Sequence, residues 1–503
     1  MPKGAMPVLV GVGQVTDHWD GTAGPDGAPS PNSICVSASK LALEDAGIAA
    51  SEIDTLAVVR IFEDSVPGDR HPHGHNTNLP GTIARDIDAK PDRAIYAAVG
   101  GQSPQQLANE MAARIHSGEI ECALVTGSEA NKASKAARKH GLDINWADGA
   151  DLEIEDRGMG EMLLSRPEIK HGIIAPAYFY ALFENAMAAR EGQTRSERRA
   201  EMSDLFAKFA AVAASNPNSQ FDTAGFDAAF LATPSKANYP FADPFLKWHI
   251  AQDAVNQSGA FIIMSEDKAD ALGIAAEKRV YLHGSGEASD DFISERPVLD
   301  GSWAMETAIT RALTQAGTTP DAIGAFDLYS CFPCAVFSSM AVLGIDHKTE
   351  TRPLTLTGGL PFFGGPGNNY SMHGIVSMAD WLRSNPGTQG LVLANGGWMT
   401  KEAVGIWSTA RPDAFTPVEP MAKPSEKTPL IDGASDGVIE TYTVTYGKDG
   451  PMSGIIFART ESGERFIAAA APEAMPRLLE EESPVGLKVS VTHADERNTF
   501  MFA

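Results

Sequence analysis

Two groups of residues in this chain have side chains of the types and spacing that do chemistry. Cys331 and Cys334 form a Cys-x-x-Cys pair, and His71, His73 and His75 alternate with Pro and Gly. The cysteine pair is unconvincing as a zinc site because no second pair of ligands exists. It is also predicted to follow a strand directly, so it lacks the helix start of a redox pair. The histidines lie in a Pro- and Gly-containing loop with no helix face to align their rings. We therefore expect a solvated loop and no bound metal.

A serine at a glycine-rich turn is the next candidate. Ser103 follows Gly100-Gly101 and precedes a helical pattern over about 104–117. A replacement nucleophile is one interpretation, but Ser103, Pro104 and Gln106 fit the N-cap, N1 and N3 positions of a capping box. The pattern therefore favours a helix start.

These turns belong to a duplicated chain. The segment 42–60 aligns without gaps on 312–330, with identities that include Ala42/Ala312, Ala46/Ala316 and Gly47/Gly317. Each copy predicts a helix that ends at Ala-Gly, a short link and a buried strand. Later in each half, a glycine-rich turn precedes a helix and a strand that ends in glycine. Strands that alternate with helices predict an α/β fold built from two similar halves.

The chain divides into four parts. We predict a first half over 1–130, a loop-domain insertion over 131–240, a second half over 241–417 and a small β-domain over 430–503. The insertion contains a helical stretch over 197–214. After a Pro- and Lys-containing linker near 418–429, four β-like segments separated by glycine-containing turns predict a small barrel or curled sheet.

Charge and composition restrict the partners. The net charge of −25 makes nucleic acid and anionic membrane poor partners, and we expect neither. The N-terminus lacks a signal peptide's apolar region, and no apolar run approaches the length of a membrane span. Four cysteines are too few for a disulfide framework. We therefore expect a cytoplasmic protein.

Four motifs carry a resemblance to a known family. They are Val10-Gly-Val-Gly-Gln14, Gly127-Ser-Glu129, the segment from Gln257 to Ser265, and Gly358-Gly-Leu360 followed by Gly364-Gly-Pro366. In this order they resemble the thiolase superfamily over about residues 1–410. The group called thiolase-like proteins type 1, related to sterol-carrier-protein thiolases, is the most similar, because it has an additional C-terminal domain of oligonucleotide-fold type. The resemblance implies a duplicated, layered α-β-α-β-α fold with a small OB-like domain at the C-terminus.

The catalytic residues of thiolases are missing at the matching positions. The nucleophilic cysteine corresponds to Gly100 and the activating histidine to Gly365, for which His373 is the nearest substitute. His373 is alternatively a helix histidine that hydrogen bonds a backbone carbonyl. Tyr329 takes the position of the family's Asn or His, and Cys331 that of a cysteine used by some members. Both are alternatively core residues at a strand end.

The resemblance also implies a substrate and a binding surface. A coenzyme A (CoA) or acyl-CoA thioester is expected as substrate, with no permanently bound cofactor. A homodimer through the thiolase core is possible, and a monomer is not excluded. The catalytic candidates are Tyr329, Cys331 and His373. The substrate-binding candidates lie in the glycine-rich turns and the helix starts that follow them: Gly100, Gly101, Ser103, Gly358, Gly359, Gly364, Gly365, Asn368 and Asn369.

Three functions fit these residues. One is an acyltransferase-like enzyme that acts on the carbon–carbon bond beside a CoA thioester without a cysteine acyl-enzyme. Another is a retro-aldolase of a β-hydroxyacyl-CoA, in which Tyr329 takes the hydroxyl proton and amides of the 358–367 loop stabilise the enolate. The third is a non-catalytic acyl-CoA carrier or scaffold. If it is an enzyme, we expect Gly100-Gly101, Tyr329–Cys331 and Gly364–Gly367 to converge.

Overall fold

The computed structural model describes residues 4–65, 68, 71–421 and 426–503. Part of the predicted linker near 418–429, namely 422–425, lies outside these residues. The strands are β1 (Pro7–Thr16), β2 (Thr55–Val58), β3 (Arg93–Tyr96), β4 (Cys122–Glu129), β5 (Glu155–Asp156), β6 (Pro240–Ala242), β7 (Phe245–Leu246), β8 (Gln257–Ser265), β9 (Tyr281–Ser289), β10 (Ile323–Asp327), β11 (Gln389–Gly396), β12 (Lys401–Ser408), β13 (Asp436–Gly447), β14 (Gly450–Arg459), β15 (Arg465–Ala470), β16 (Lys488–Ala494) and β17 (Arg497–Phe502).

The helices account for most of the remaining ordered chain. They are α1 (Pro31–Ala46), α2 (Leu79–Asp86), α3 (Ser103–Ser117), α4 (Asn131–His140), α5 (Arg166–Lys170), α6 (Pro176–Arg190), α7 (Arg195–Ser215), α8 (Ala228–Ala232), α9 (Glu266–Ala271), α10 (Trp303–Ala316), α11 (Pro333–Leu343), α12 (Tyr370–Ser384) and α13 (Met475–Glu480).

Two sheets and three helix layers form the body of the molecule. The first sheet has the order β1-β8-β4-β2-β3-β5 and the second the order β10-β11-β12-β9. Helices α3 and α12 pack between them, where their apolar residues share one core with both sheets. Helices α1 and α2 cover the outer face of the first sheet, and α10 and α11 that of the second. The predicted duplicated α-β-α-β-α fold is confirmed.

The same close approach of strand and helix occurs in both halves. A Cβ on Gly11 of β1 would lie 2.3 Å from the Ala42 carbonyl oxygen of α1, and one on Gly284 of β9 would lie 2.2 Å from that of Ala312 in α10. Only glycine lets these strands approach the alanine face of each helix so closely. Gly11 and Gly284 are therefore equivalent positions. The internal repeat seen in the sequence at Ala42/Ala312 thus includes the preceding strands, β1 and β9.

Strand β8 differs from the expectation for 257–265. The sequence predicts this segment in the second half, but β8 pairs antiparallel with β1 and β4 in the first sheet. All nine of its residues are buried, because both faces of this central strand are covered by helices. The second sheet begins at β9.

The C-terminal strands close into a barrel. The pairing runs β13-β14-β15-β17-β16 and returns to β13, with β15 and β17 parallel and the other pairs antiparallel. This five-stranded barrel has its own apolar core, as expected for an OB-like domain. The four predicted strands are present. Strand β17 and helix α13 were not predicted.

The insertion is joined to this barrel. Strand β6 pairs with β13, so β6 and β7 extend the barrel's sheet. The Asn185 side chain of α6 donates to the carbonyl of Tyr442, and the Arg195 guanidinium of α7 donates to the carbonyls of Leu478 and Leu479. These buried polar contacts fix the insertion helices against the barrel wall. No helix among the described residues is long and apolar enough to cross a membrane.

Candidate active site

Tyr329 and the Gly100-Gly101 turn meet where the two sheets face each other. Tyr329 follows β10, and the turn leads into α3. A Cβ on Gly101 would lie 2.4 Å from both the Tyr329 hydroxyl and the Asn395 carbonyl oxygen. The Tyr329 ring also contacts the ring of Tyr370 edge-on, with centroids 5.3 Å apart. This part of the predicted convergence is present in the structure.

A group of polar side chains surrounds Tyr329. Asn395, near the end of β11, donates from Nδ2 to the Tyr180 hydroxyl at 3.0 Å and to Cys331 Sγ at 3.7 Å. Glu402 of β12 is the cross-strand partner of Asn395, so the two side chains lie on the same face of the sheet. We call Tyr180, Tyr329, Cys331, Asn395 and Glu402 the Tyr329 cluster. Its members come from the insertion and from three neighbouring segments of the second half.

Burial sets the protonation of this cluster. Desolvation raises the pKa of Tyr329 well above its usual value, and the nearby Cys331 and Glu402 raise it further. It also raises the pKa of Cys331 to about 12. The pKa of Glu402 is likewise raised well above the usual range by desolvation, against the attraction of Arg296. Both carboxyl oxygens of Glu402 are buried without a hydrogen-bond partner among the described residues. The phenol and the thiol are therefore proton donors at neutral pH.

The position that matches the thiolase nucleophile is occupied by a neighbouring side chain. Gly100 has φ +152°, and a Cβ there would lie 2.0 Å from Gln102 Oε1. The same oxygen would lie 1.9 Å from a Cβ on Gly396. The Gln102 amide thus fills the space between Gly100 and the end of β11.

Ser103 does not cap its helix. Helix α3 begins at Ser103 with Gln102 as N-cap and no side-chain cap, which corrects the predicted capping box. The Ser103 hydroxyl donates backward to the carbonyl of Ala98 at 3.0 Å. The amides of Gly101 and Gln102, in contrast, donate no hydrogen bond within the described residues. The positive end of α3 therefore carries free donors beside Tyr329.

The 358–367 loop is bonded within the protein. Most of its amides donate internally: those of Gly358 and Gly359 to threonine hydroxyls, that of Leu360 to Ser330, those of Phe362 and Phe363 to the carbonyl of Gly359, that of Gly365 to Gln252, and that of Gly367 to Gly365. Two positions are proline, so only the amide of Gly364 has no partner in this stretch, all of which the structure describes. The loop thus lacks the set of free amides expected to stabilise an enolate.

The glycines of this loop serve close packing. A Cβ on Gly358 would lie 2.5 Å from Ala213 of α7, and one on Gly359 would lie 2.7 Å from Ser330 Oγ. The equivalent contacts of Gly364 and Gly367 are with Gln257 Oε1 and Glu129 Oε1, each at 2.3 Å. A Cβ on Gly365 would have more room, since its nearest neighbour would be the Gln252 carbonyl oxygen at 3.3 Å. The Gly364–Gly367 stretch thus packs on residues of the first half.

Asn368 and Asn369 tie the second half to the first. Asn368 Nδ2 donates to the Arg60 carbonyl at 2.8 Å and to Ser65 Oγ at 3.0 Å. Asn369 Nδ2 donates to the Gly127 carbonyl at 2.7 Å. Their amide nitrogens are used in these contacts, so both residues act as structural links in this conformation.

His373 is buried on α12 and contacts a side chain of the first sheet. Its Nδ1 atom is 2.9 Å from Gln14 Oε1 of β1, which replaces the carbonyl partner expected from the sequence. Its Nε2 atom is buried without a partner within the described residues. Burial lowers the pKa of His373 to about 3. The ring is therefore neutral at physiological pH, and its contacts are with Gln14 and the ring of Phe363.

Two motifs depart from their sequence-based interpretation. Helix α11 begins at Pro333, so Cys331 and Cys334 do lie at a helix start, although both are buried free thiols. Burial raises the pKa of Cys334 well above its usual value. In the histidine loop, the rings of His71 and His75 stack with centroids 3.8 Å apart. Their Nε2 atoms lie 3.5 and 3.2 Å from Asp64 Oδ1. The two rings are therefore aligned without a helix face, which differs from the expectation of a solvated loop.

Sequence reasoning missed Gln102, Tyr180, Asn395 and Glu402 as members of the site. One feature of the sequence could have indicated Glu402: it is an acidic residue within the otherwise apolar, buried part of the strand Lys401–Ser408. Tyr180 has no such feature, since it comes from an insertion helix whose residues are almost all apolar or small.

Comparison with known proteins places the chain in a family. The family described as "Thiolase-like protein type 1 additional C-terminal domain" matches residues 420–497, the region of the barrel. A crystal structure of a monomeric SCP2-thiolase like protein type 1 from Mycobacterium smegmatis has 35% sequence identity and a TM-score of 0.83 over 99% of each chain. The chain belongs to the SCP2-thiolase-like protein type 1 family. A comparison with curated proteins gives no match.

More distant structures share only the fold of this thiolase-like protein type 1. An Ltp2-ChsH2(DUF35) aldolase has 15% identity and a TM-score of 0.57, with 80% of this chain and 97% of that one covered. An acetyl-CoA acetyltransferase from Syntrophomonas wolfei has 16% identity and a TM-score of 0.56, with 81% and 100% covered. The chain therefore has the thiolase fold together with the additional C-terminal domain.

Proposed function

We propose that this protein breaks or makes a carbon–carbon bond next to a CoA thioester without a cysteine acyl-enzyme. The observation that carries the proposal is the Tyr329 cluster itself. The buried Tyr329 phenol and the buried Glu402 carboxyl, which has no hydrogen-bond partner among the described residues, lie beside a helix start, and the space of the nucleophile is filled by Gln102. Such a site can transfer protons, and its one thiol, Cys331, is kept protonated because burial raises its pKa to about 12, so the site has no activated nucleophile to hold an acyl group.

The most specific version of this proposal is that the protein is a retro-aldolase. In the ionised state, the Glu402 carboxylate would take the β-hydroxyl proton. The Cα–Cβ bond would break to release an aldehyde or ketone, and the thioester enolate would take a proton at Cα from Tyr329. Transfer of a proton from Glu402 to the Tyr329 phenolate would then restore both groups. Burial raises both pKa values, but the phenol starts from an ordinary value of 10.0 and the carboxyl from 4.5, so the carboxyl is the group that ionises more readily. Tyr329 is therefore the donor and Glu402 the base, which reverses the role predicted for Tyr329 from the sequence. A carboxyl with a raised pKa is a stronger base once ionised.

The start of α3 supplies the expected charge stabiliser. The free amides of Gly101 and Gln102 lie at the positive end of a helix and next to the Tyr329 hydroxyl. Donors fixed in this way favour the developing negative charge on a thioester oxygen. A solved structure of similar fold is an aldolase, so the fold itself is compatible with this reaction.

A non-catalytic acyl-CoA carrier is the second candidate. Burial of the cluster favours it, since Tyr329 is 5% and Glu402 2% exposed. Tyr180 covers the cluster from the insertion, with its ring stacked on Phe332 at 4.2 Å. Catalysis therefore requires that the insertion moves to admit the substrate.

One experiment separates the two candidates. The protein is incubated with β-hydroxyacyl-CoAs of increasing acyl size, and mass spectrometry measures the shorter acyl-CoA and the released carbonyl compound. Cleavage in a one-to-one ratio of these products supports the aldolase. Tight acyl-CoA binding without any product contradicts it and supports the carrier.

We further propose a cytosolic monomer, since the related protein is described as monomeric and the four cysteines are free.

A further inference from the structure

We infer that Asp64, His71 and His75 form a binding site for one divalent transition-metal ion of the zinc type. These residues, called here the Asp64 site, each offer one ligand atom, and the three atoms all lie within 4.8 Å of one another. The site is separate from the Tyr329 cluster in composition and does not depend on the proposed reaction. It goes beyond the prediction that the histidine loop binds no metal.

The distances fit a tetrahedral ion. Asp64 Oδ1 lies 3.5 Å from His71 Nε2 and 3.2 Å from His75 Nε2. Ligands about 2.0–2.1 Å from a tetrahedral zinc ion are about 3.3 Å apart, whereas right-angled octahedral positions would bring them to about 3 Å. Two imidazoles and one carboxylate are also a ligand set that zinc accepts, with the fourth position left for water.

The surrounding residues orient the ligands. The Tyr96 hydroxyl donates to Asp64 Oδ2 at 2.5 Å, which leaves Oδ1 facing both rings. Glu63 Oε2 lies 3.6 Å from His71 Nδ1, so a carboxylate stands behind the ring nitrogen opposite the ligand atom. Carboxylates and hydroxyls in this outer position fix ring orientation at metal sites.

Charge and access also favour a cation. Glu63 and Asp64 bring two carboxylates to the site. Of the cations near the site, Arg60 is paired with Asp156 and lies over the Tyr96 ring at 4.1 Å, and Arg138 attracts the Glu63 carboxylate. The site opens onto a cleft lined by Asn76 and Asp156 among others, through which an ion and its water can enter. His73 takes no part, since its ring is buried against Trp146.

The test measures metal binding directly. Protein without an affinity tag is stripped with a chelator, and Zn²⁺ affinity is measured by competition with a coloured chelator. We expect one Zn²⁺ per chain, a higher melting temperature with Zn²⁺ than without, and visible absorption bands of tetrahedral type with Co²⁺. His71→Ala, His75→Ala and Asp64→Asn should each weaken Zn²⁺ binding at least about tenfold.

Two further variants guard the interpretation. Tyr96→Phe removes only the hydroxyl that holds Asp64, and should weaken binding about 10- to 100-fold. His140→Ala, an exposed histidine on α4, should leave Zn²⁺ affinity unchanged. Circular dichroism without metal checks that every variant is folded. Zn²⁺ binding that is absent, or that survives unchanged in both His71→Ala and His75→Ala, would overturn the site and leave an ion-paired loop.

Discussion

The Tyr329 hydroxyl lies against the backbone of Gly101, so closely that a side chain at 101 and this phenol exclude each other. The contact joins the helix start of the first half to the strand end of the second half. It makes the geometry of the candidate site sensitive to a single methyl group.

Gly101→Ala should therefore displace Tyr329. The new Cβ would lie 2.4 Å from the hydroxyl and from the Asn395 carbonyl, and the backbone partner cannot move aside easily. We expect a loss of about 1–3 kcal/mol in unfolding free energy, measured by urea denaturation, and loss of any cleavage activity. Gly301→Ala is the control, because nothing lies within 4 Å of its Cβ position. Equal stability of the two variants would contradict the contact.

Tyr329→Phe should abolish cleavage of a β-hydroxyacyl-CoA but leave CoA affinity and melting temperature nearly unchanged. The hydroxyl makes no hydrogen bond within the described residues, so its removal leaves no protein group unpaired. The control is Tyr370→Phe, which breaks a 2.6 Å bond to Thr357 and should cost about 1 kcal/mol while retaining activity. A fully active Tyr329→Phe protein would remove this residue from the reaction.

No acyl-enzyme should form with acetyl-CoA. Intact-protein mass spectrometry should show the unmodified mass, and Gly100→Cys should not create an adduct because Gln102 Oε1 fills the space. The double variant Gly100→Cys with Gln102→Ala opens that space. An adduct on this double variant, but not on Gly100→Cys alone, would show that Gln102 is the obstacle. A stoichiometric adduct on Ser103 or Cys331 of the unaltered protein would contradict the proposed chemistry.

Glu402→Gln should change how stability depends on pH. The folded pKa of Glu402 is raised above the ordinary 4.5, so the unaltered protein loses stability as the pH rises from that value toward the folded pKa. Glutamine has no charge to bury, so the variant should be more stable than the unaltered protein at pH 8, with a smaller difference at pH 4. Urea denaturation at both pH values checks this.

The exposed Glu277→Gln is the control for that series. It should show no pH-dependent difference from the unaltered protein. If Glu402→Gln also retains full cleavage activity, the carboxylate is not the base.

Arg465→Met should destabilise the joint between the barrel and the second half. The Arg465 guanidinium is fully buried, bonds both oxygens of Glu440 and donates to the carbonyls of Ser294 and Arg296. Its removal leaves Glu440 Oε2 and the Ser294 carbonyl without this donor, although Arg459 still donates to Glu440 Oε1. We expect a cost of about 3 kcal/mol in unfolding free energy. The exposed Arg497→Met should change little. A small effect of Arg465→Met would mean that the barrel folds independently of this contact.

The sequence predicted the elements that obey local rules. Helix α1 begins at the Ser30 N-cap and ends at Gly47 in the left-handed region, and α10 ends in the same way at Gly317. Such signals act within a few residues, so periodicity and caps reveal them. Strand β8 was assigned to the wrong half because its apolar run fits any central strand, and only its partners decide the sheet.

The site was less predictable because long-range packing builds it. The side chain of Gln102, two residues after Gly100, fills the space that the nucleophile occupies in thiolases. The side chain of Tyr180 reaches the cluster from the insertion. The capping box at Ser103 failed because its hydroxyl finds the carbonyl of Ala98 in the preceding turn, a competing bond that spacing alone does not reveal.

The pairing of β6 with β13 has a consequence for synthesis on the ribosome. Strand β6 emerges about 190 residues before β13. At roughly 5–20 residues per second, its edge therefore stays without its partner for roughly 10–40 s. During that time the insertion presents an open strand edge, and its helices lack the barrel wall that they later contact. The nascent chain is thus most exposed to mispairing and to chaperones late in translation, and a truncated message would yield a product that keeps this edge open permanently.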